Sequence, residues 1–216
     1  MFNLSVFLQG FPLLFNAALA TIGISIAGLL IGFFVAIAVC SARLSHGAFA
    51  RAAGSAYVFF FRGVPLLVQL LLVYYLLPFV GINVPPLVAA IGTCALCSAA
   101  YVAEILRGGF LGIPPGQIEA ARLLGLSRFD MLVRIQVPQA FRLTLPALGN
   151  EMVLLLKASS LVSVVGVAEL TRTSQNIAAS TYRPLEAYLA AALIYFVING
   201  VLSLASHYAE HRLRAA

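Results

Sequence analysis

Charged residues are missing from three long stretches of this chain, 1–42, 63–103 and 187–209. A fourth apolar stretch, 143–168, holds only Glu151 and Lys157. A hydrocarbon core of about 30 Å needs roughly 20 apolar helical residues to cross it. The pattern therefore predicts an all-α integral membrane protein with five spans, at about 14–40, 57–78, 87–107, 144–165 and 187–207. The first opens after Pro12 and ends before Arg43. Within it Gly28, Gly32, Ala36 and Cys40 recur every four residues, a stripe of small side chains that another helix can approach closely. In the second, Pro65 suits a first helical turn because its missing N–H would be unpaired there anyway. The apolar run from Pro65 to Leu77 is short, so Tyr57 to Phe61 complete that span. Gly81-Ile82-Asn83-Val84-Pro85-Pro86 reads as a turn.

Composition agrees with the pattern. The 216 residues are 62% hydrophobic and only 9% charged, with a mean hydropathy of +1.03, far from a soluble domain. Nothing basic precedes the first apolar run, and no small-residue cleavage site follows a short core, so the run reads as a retained span and not a signal peptide. With the N-terminus outside, the inner segments hold ten arginines and the outer segments two, Arg172 and Arg183. That asymmetry fits the positive-inside rule and accounts for the net charge of +6 without nucleic acid. The spans form a membrane domain over 14–207, with a cytoplasmic loop at 115–138 inside it and a cytoplasmic tail at 208–216. Cys40, Cys94 and Cys97 lie inside apolar runs and imply no disulfide framework. Cys94-x-x-Cys97 lacks His or acidic neighbours and reads as packing. No internal repeat is visible.

The loop at 115–138 is a polar island, crowded with Arg122, Arg128 and Arg134. Local signals describe two short helices. Pro114-Pro115 starts the first, which runs to about Leu124, and Gly125 sits where a left-handed C-terminal cap falls. Ser127, three residues before Asp130, resembles a capping box opening the second, and Pro138 ends it. Ala120 and Ala121 leave a slim face, with Ile118, Leu124 and Phe129 for apolar grip. Two readings fit these residues: a docking element for a soluble partner, or amphipathic helices lying on lipid headgroups.

The spacing resembles the cytoplasmic signature of permease subunits of ATP-binding-cassette importers. Glu119-Ala120-Ala121, three residues, Gly125, nine residues, Ile135, one residue, Val137 and Pro138 follow that signature, with Val137 in place of the usual Leu. Residues 98–109, Ser-Ala-Ala-Tyr-Val-Ala-Glu-Ile-Leu-Arg-Gly-Gly, are similar to the run preceding it in polar amino-acid importers. So are Leu156-Lys157-Ala158-Ser159-Ser160-Leu161, Gly166-Val167-Ala168-Glu169-Leu170, and Arg62-Gly63-Val64-Pro65 with Gln69. The resemblance implies a type I importer permease fold with a cytoplasmic coupling helix, in a bacterial cytoplasmic membrane. Glu119, Ala120, Ala121, Gly125, Ser127, Ile135 and Pro138 would then meet the ATPase. Implied partners are an ATPase subunit dimer, a second permease subunit, identical or related, and a periplasmic or extracellular substrate-binding protein. The cargo would be a polar amino acid. No cofactor is expected on this chain; ATP and Mg belong to the partner ATPase. A phosphate-binding loop needs Gly-Lys-Ser/Thr, and the single lysine, Lys157, follows Leu156.

Charges inside spans need a partner or water, at a cost of roughly 2.5–3.5 kcal/mol each. Glu104 and Arg107 are placed to pair with each other. Lys157 and Glu151 fall on different faces, so Lys157 needs another helix, a carbonyl, water or a ligand. A zwitterionic solute needs donors and acceptors, and Ser98, Tyr101, Glu104, Lys157, Ser159, Ser160 and Glu169 are candidates to supply them along a pathway. Ordinary interhelical bonds between such side chains explain the serines as well, and a solvated loop explains Glu169 nearly as well. His207 and His211 share a helical face beside Arg212 and read as interfacial anchors. Two other functions compete with import. An ion-gradient-driven secondary transporter commonly carries inverted repeats and midplane ion sites, neither of which is visible. A membrane enzyme or assembly factor is the other, and no nucleophile–base or metal constellation favours an enzyme.

Overall fold

The computed structural model describes residues 4–214, with side chains from 7 to 212. Among the described residues the fold is entirely helical. The first helix, α1 (Leu4–Leu44), runs unbroken through Pro12 and begins ten residues before the expected span. Proline is tolerated in membrane helices where neighbours satisfy the carbonyl it frees. The stripe of small residues does what its spacing predicts. A Cβ added at Gly28 would lie 3.0 Å from Cys94 Cβ, and one at Gly32 would lie 2.7 Å from the Ala95 carbonyl. This brings α1 backbone-close to α4 (Pro86–Leu111), which also packs on the two helices before it and on a long helix later in the chain. Cys94 and Cys97 are free thiols buried in that packing.

The expected second span is not one straight helix. It divides into α2 (Ala48–Gly63) and α3 (Leu66–Phe79), bent by 103° at residues 64–65. Pro65 excludes the preceding residue from helical geometry, and Val64 is extended at φ −97°, ψ 131°. The break orphans carbonyls, and Gln69 reaches back to them: its Nε2 donates to the carbonyls of Phe61 at 3.0 Å and Val64 at 2.7 Å. With 14 residues, α3 is only about 21 Å long, shorter than the hydrocarbon core. Gly81, at φ +84°, makes the turn into α4.

Next come α5 (Pro115–Leu123) and α6 (Arg128–Asp130), a π-helical stretch (Met131–Gln136), and α7 (Val137–Ala158). Pro138 does not end a helix, contrary to the expectation. Helix continues from Arg128 to Val165, 38 residues in all. The wide turn explains this: Val137 N–H bonds the Leu132 carbonyl, five residues back. A proline ring ordinarily collides with the carbonyl four residues before it, and the π turn moves that carbonyl aside. A 3₁₀ segment (Ser159–Val165) follows, closed by Gly166 at φ +83°. Two helices complete the fold, α8 (Leu170–Thr181) and α9 (Pro184–Arg214). The expected tail at 208–216 is thus a continuation of α9, its last two residues lying outside the described ones.

Candidate functional site

The signature stretch folds much as its local chemistry dictates. Proline occupies the first turn of α5. Gly125 is left-handed at φ +78°, and the N–H groups of Gly125 and Leu126 cap the Arg122 and Ala121 carbonyls at 3.0 and 3.1 Å. Ser127 Oγ accepts from the Asp130 N–H at 3.1 Å and donates to Asp130 Oδ2 at 2.6 Å. Asp130 in turn pairs with Arg134 at 3.1 Å. Gln139 on α7 donates to Gln117 on α5 at 2.6 Å, tying the two together.

This leaves α5 with two faces. Ala121 is buried and Ile118 half-buried, while Glu119 and Ala120 are exposed. Ala120 and Ala121 therefore do not form one slim face, because adjacent helical residues point in different directions. Ala121 packs inside the subunit. The outward face carries Leu123, 90% exposed, and Leu124, 80% exposed, with Phe129 just beyond at 72%. Ile135 is half-buried and Pro138 exposed on the helix that follows. The result is an exposed cluster of large apolar side chains beside a carboxylate, the kind of patch that marks a contact with another protein or with a membrane.

The expected pathway residues separate into three places. Glu104 accepts from Arg107 at 2.8–3.2 Å, as its spacing predicts, and also from Arg43 of α1 at 3.0 Å. Arg62 of α2 lies 5.2 Å from the centre of the Tyr101 ring. Arg43, Arg62, Tyr101 and Glu104 line one open cleft of about 730 Å³. Lys157 and Ser160 line another of about 650 Å³, between α7 and α9, with Tyr195 and Asn199. Ser160 is bonded to the Lys157 carbonyl at 2.7 Å. Lys157 itself is exposed, and no ion pair to it exists among the described residues.

Ser98, Ser159 and Glu169 are buried and already partnered. Ser98 donates to Glu151 at 3.1 Å, and Ser25 of α1 donates to Ser159 at 3.2 Å. Glu169, expected in an exposed outer segment, is fully buried. It caps α8 by accepting from the Arg172 N–H at 2.7 Å, and it takes the hydroxyls of Thr21 at 3.3 Å and Tyr195 at 3.0 Å. Thr21 also accepts from the Leu170 N–H at 3.1 Å. One carboxyl thus joins α1, α8 and α9. Burial pushes its pKa above the usual carboxylate range, against the pull of those hydrogen bonds.

Arg43, Gln69 and Thr21 hold groups whose importance their own neighbourhoods barely announce. Only Gln69 had a local signal, a buried amide four residues after a helix-breaking proline. Among the described residues no group of three or more His, Cys, Asp or Glu is placed to hold a metal.

Residues 28–215 match the family described as binding-protein-dependent transport system inner membrane component. The chain is 38% identical to the glutamine transport system permease protein GlnP of Escherichia coli, over 99% of this chain and 98% of that one. It is 37% identical to the nopaline transport system permease protein NocM of Agrobacterium fabrum, covering 99% and 94%. The L-cystine transport system permease protein TcyB of Bacillus subtilis is 38% identical, covering 94% and 87%. A crystal structure of an amino acid ABC transporter with histidines superposes at a TM-score of 0.93 and 37% identity, covering 98% of this chain and 99% of that chain. An inward-facing form of the MetNI methionine ABC transporter shares the fold, at a TM-score of 0.72 and 20% identity.

Proposed function

The chain belongs to the family of binding-protein-dependent transport system inner membrane components, and we propose that it is the permease subunit of an ATP-binding-cassette importer for polar amino acids. Relatives named for glutamine, nopaline and cystine transport support that solute class. The observation that carries the mechanism is the two-faced α5, whose apolar outer surface leads within a few residues into the 38-residue helix ending at Val165. The chain sits in the bacterial cytoplasmic membrane with its N-terminus outside and α5 in the cytoplasm. Glu119, Ala120, Leu123 and Leu124 enter a groove on an ATPase subunit, with Gly125, Ser127, Ile135 and Pro138 fixing how that element is presented. ATP and Mg are held by the ATPase pair. Closure and opening of that pair move α5, and alternating access follows.

Lys157 argues for a second permease subunit. Lys157 lies in the last turn of α7, and an ammonium facing lipid from within a span costs up to roughly 2.5–3.5 kcal/mol. The cleft between α7 and α9 is therefore covered by a second permease subunit or faces an aqueous route between the two. An external binding protein delivers the solute. Of the candidate pathway residues, Tyr101, Glu104, Lys157 and Ser160 line open clefts and are the ones we assign to solute contact.

The test is Gly125→Val. A β-branched residue at φ +78° is strongly disfavoured, and the side chain also intrudes where the ATPase backbone approaches. Uptake by proteoliposomes holding permease, ATPase and binding protein should fall at least tenfold, while membrane insertion stays normal. Normal uptake by the variant would overturn the docking assignment.

A further inference from the structure

Under the inner face of α5 the cytoplasmic ends of α1, α4 and α7 diverge around a cavity of about 750 Å³. Phe33, Ile37, Leu106, Phe110, Ala140 and Phe141 form its apolar wall. His46, Arg122, Arg128 and Gln136 also line it, and none of its lining residues is acidic. The stretch of α1 along the cavity, Phe33 to Leu44, is roughly 16 Å long at 1.5 Å per residue. That is about half of a 30 Å hydrocarbon core, the depth of one leaflet. Ile37, Leu132 and Phe141 are each more than 40% exposed, so the cavity is open and not sealed within the subunit.

Among the described residues no protein anion pairs with these arginines. Neither Arg122 nor Arg128 is in an ion pair among the described residues, and the nearby Asp130 is occupied by Arg134 and Ser127. An apolar cleft one leaflet deep, with two unpaired guanidinium groups beside it, matches a molecule with a long hydrocarbon part and an anionic head. We propose that this cleft binds an anionic phospholipid of the cytoplasmic leaflet, an acyl chain lying along α1 and the phosphate held by Arg122 and Arg128. Basic pockets between helices on the cytoplasmic side bind anionic headgroups, and guanidinium matches phosphate in a two-pronged geometry. The proposal rests on the cytoplasmic placement of α5. Arg122 is exposed at the rim and lines the cavity with Ile118, one turn earlier on α5, so the bound headgroup contacts the helix that also presents Leu123 outward.

The experiment is native mass spectrometry of the permease–ATPase complex released from micelles containing equal phosphatidylglycerol and phosphatidylcholine. Wild type should retain phosphatidylglycerol preferentially. In the double variant Arg122→Gln/Arg128→Gln that preference should drop roughly fivefold per arginine removed, the ratio given by about 1 kcal/mol per basic residue. Ile37→Trp keeps the charges but fills the cleft, and should also lose the lipid. Co-purification of the ATPase reports folding of both variants. Equal retention of the two lipids by wild type would overturn the proposal, and so would unchanged phosphatidylglycerol retention in both variants. A disulfide from Ile37→Cys to a second copy of the chain would assign the cleft to a subunit interface and overturn it too.

Discussion

Two short helices, α5 and α8, lie on either side of the long helix that runs from Arg128 to Val165, and they are held in different ways. The 12-residue α8 is knotted into the bundle by Glu169, with Thr21, Tyr195 and the α8 N-terminus all bonded to one buried carboxyl. Leu170 and Ser174 beneath it are fully buried. The nine-residue α5 has a side-chain bond to α7, Gln139 to Gln117, and turns its largest apolar groups outward. One helix is satisfied by its own chain. The other leaves an apolar surface open, as the proposed docking to an ATPase requires.

The comparison can be broken first at the knot. Glu169→Ala removes the acceptor of the Arg172 N–H and a shared acceptor of the Thr21 and Tyr195 hydroxyls, which keep only the Ala17 carbonyl and Thr171. Three buried hydrogen bonds are lost at about 1 kcal/mol each. A loss of about 3 kcal/mol is expected, read as a lowered thermal midpoint of the purified subunit in detergent. A midpoint unchanged from wild type would mean that α8 is held by its apolar contacts alone. At the other end Leu124→Asp should leave that midpoint unchanged. Instead it should weaken association with the ATPase by about 2 kcal/mol, or roughly thirtyfold, as removal of an interface anchor does. Titration of labelled ATPase against the detergent-purified subunit measures it, and equal affinity would remove Leu124 from the docking face. The smallest effect belongs to Ser127→Ala. Loss of this N-cap should cost about 1 kcal/mol, seen as faster amide exchange over residues 128–131 with little change at α8.

Signals that act over a few residues were legible in the sequence. The four-residue period of Gly28, Gly32, Ala36 and Cys40 sets a close helix crossing by itself, and Gly125 and Ser127 cap helices through neighbours one to three residues away. The pairing of Glu104 with Arg107 is equally local. Illegible features depend on distant chain or on backbone strain. Glu169 is polar and follows a span, so it reads as solvated; its burial is decided by Thr21, 148 residues earlier. The 103° bend between α2 and α3 is hidden because an apolar window cannot distinguish a straight span from a broken one. Pro138 carries a helix-ending signal that the π turn before it cancels, and hydropathy does not record that kind of turn.

That unbroken passage through Pro138 has a geometric consequence. Thirty-eight residues from Arg128 to Val165 make a rod roughly 57 Å long. Tilting its inner end by about 5° swings its outer end by about 5 Å, comparable to the width of a small side chain. A modest push delivered beside Gly125 is thereby enlarged into an aperture-sized displacement at the other end of the rod.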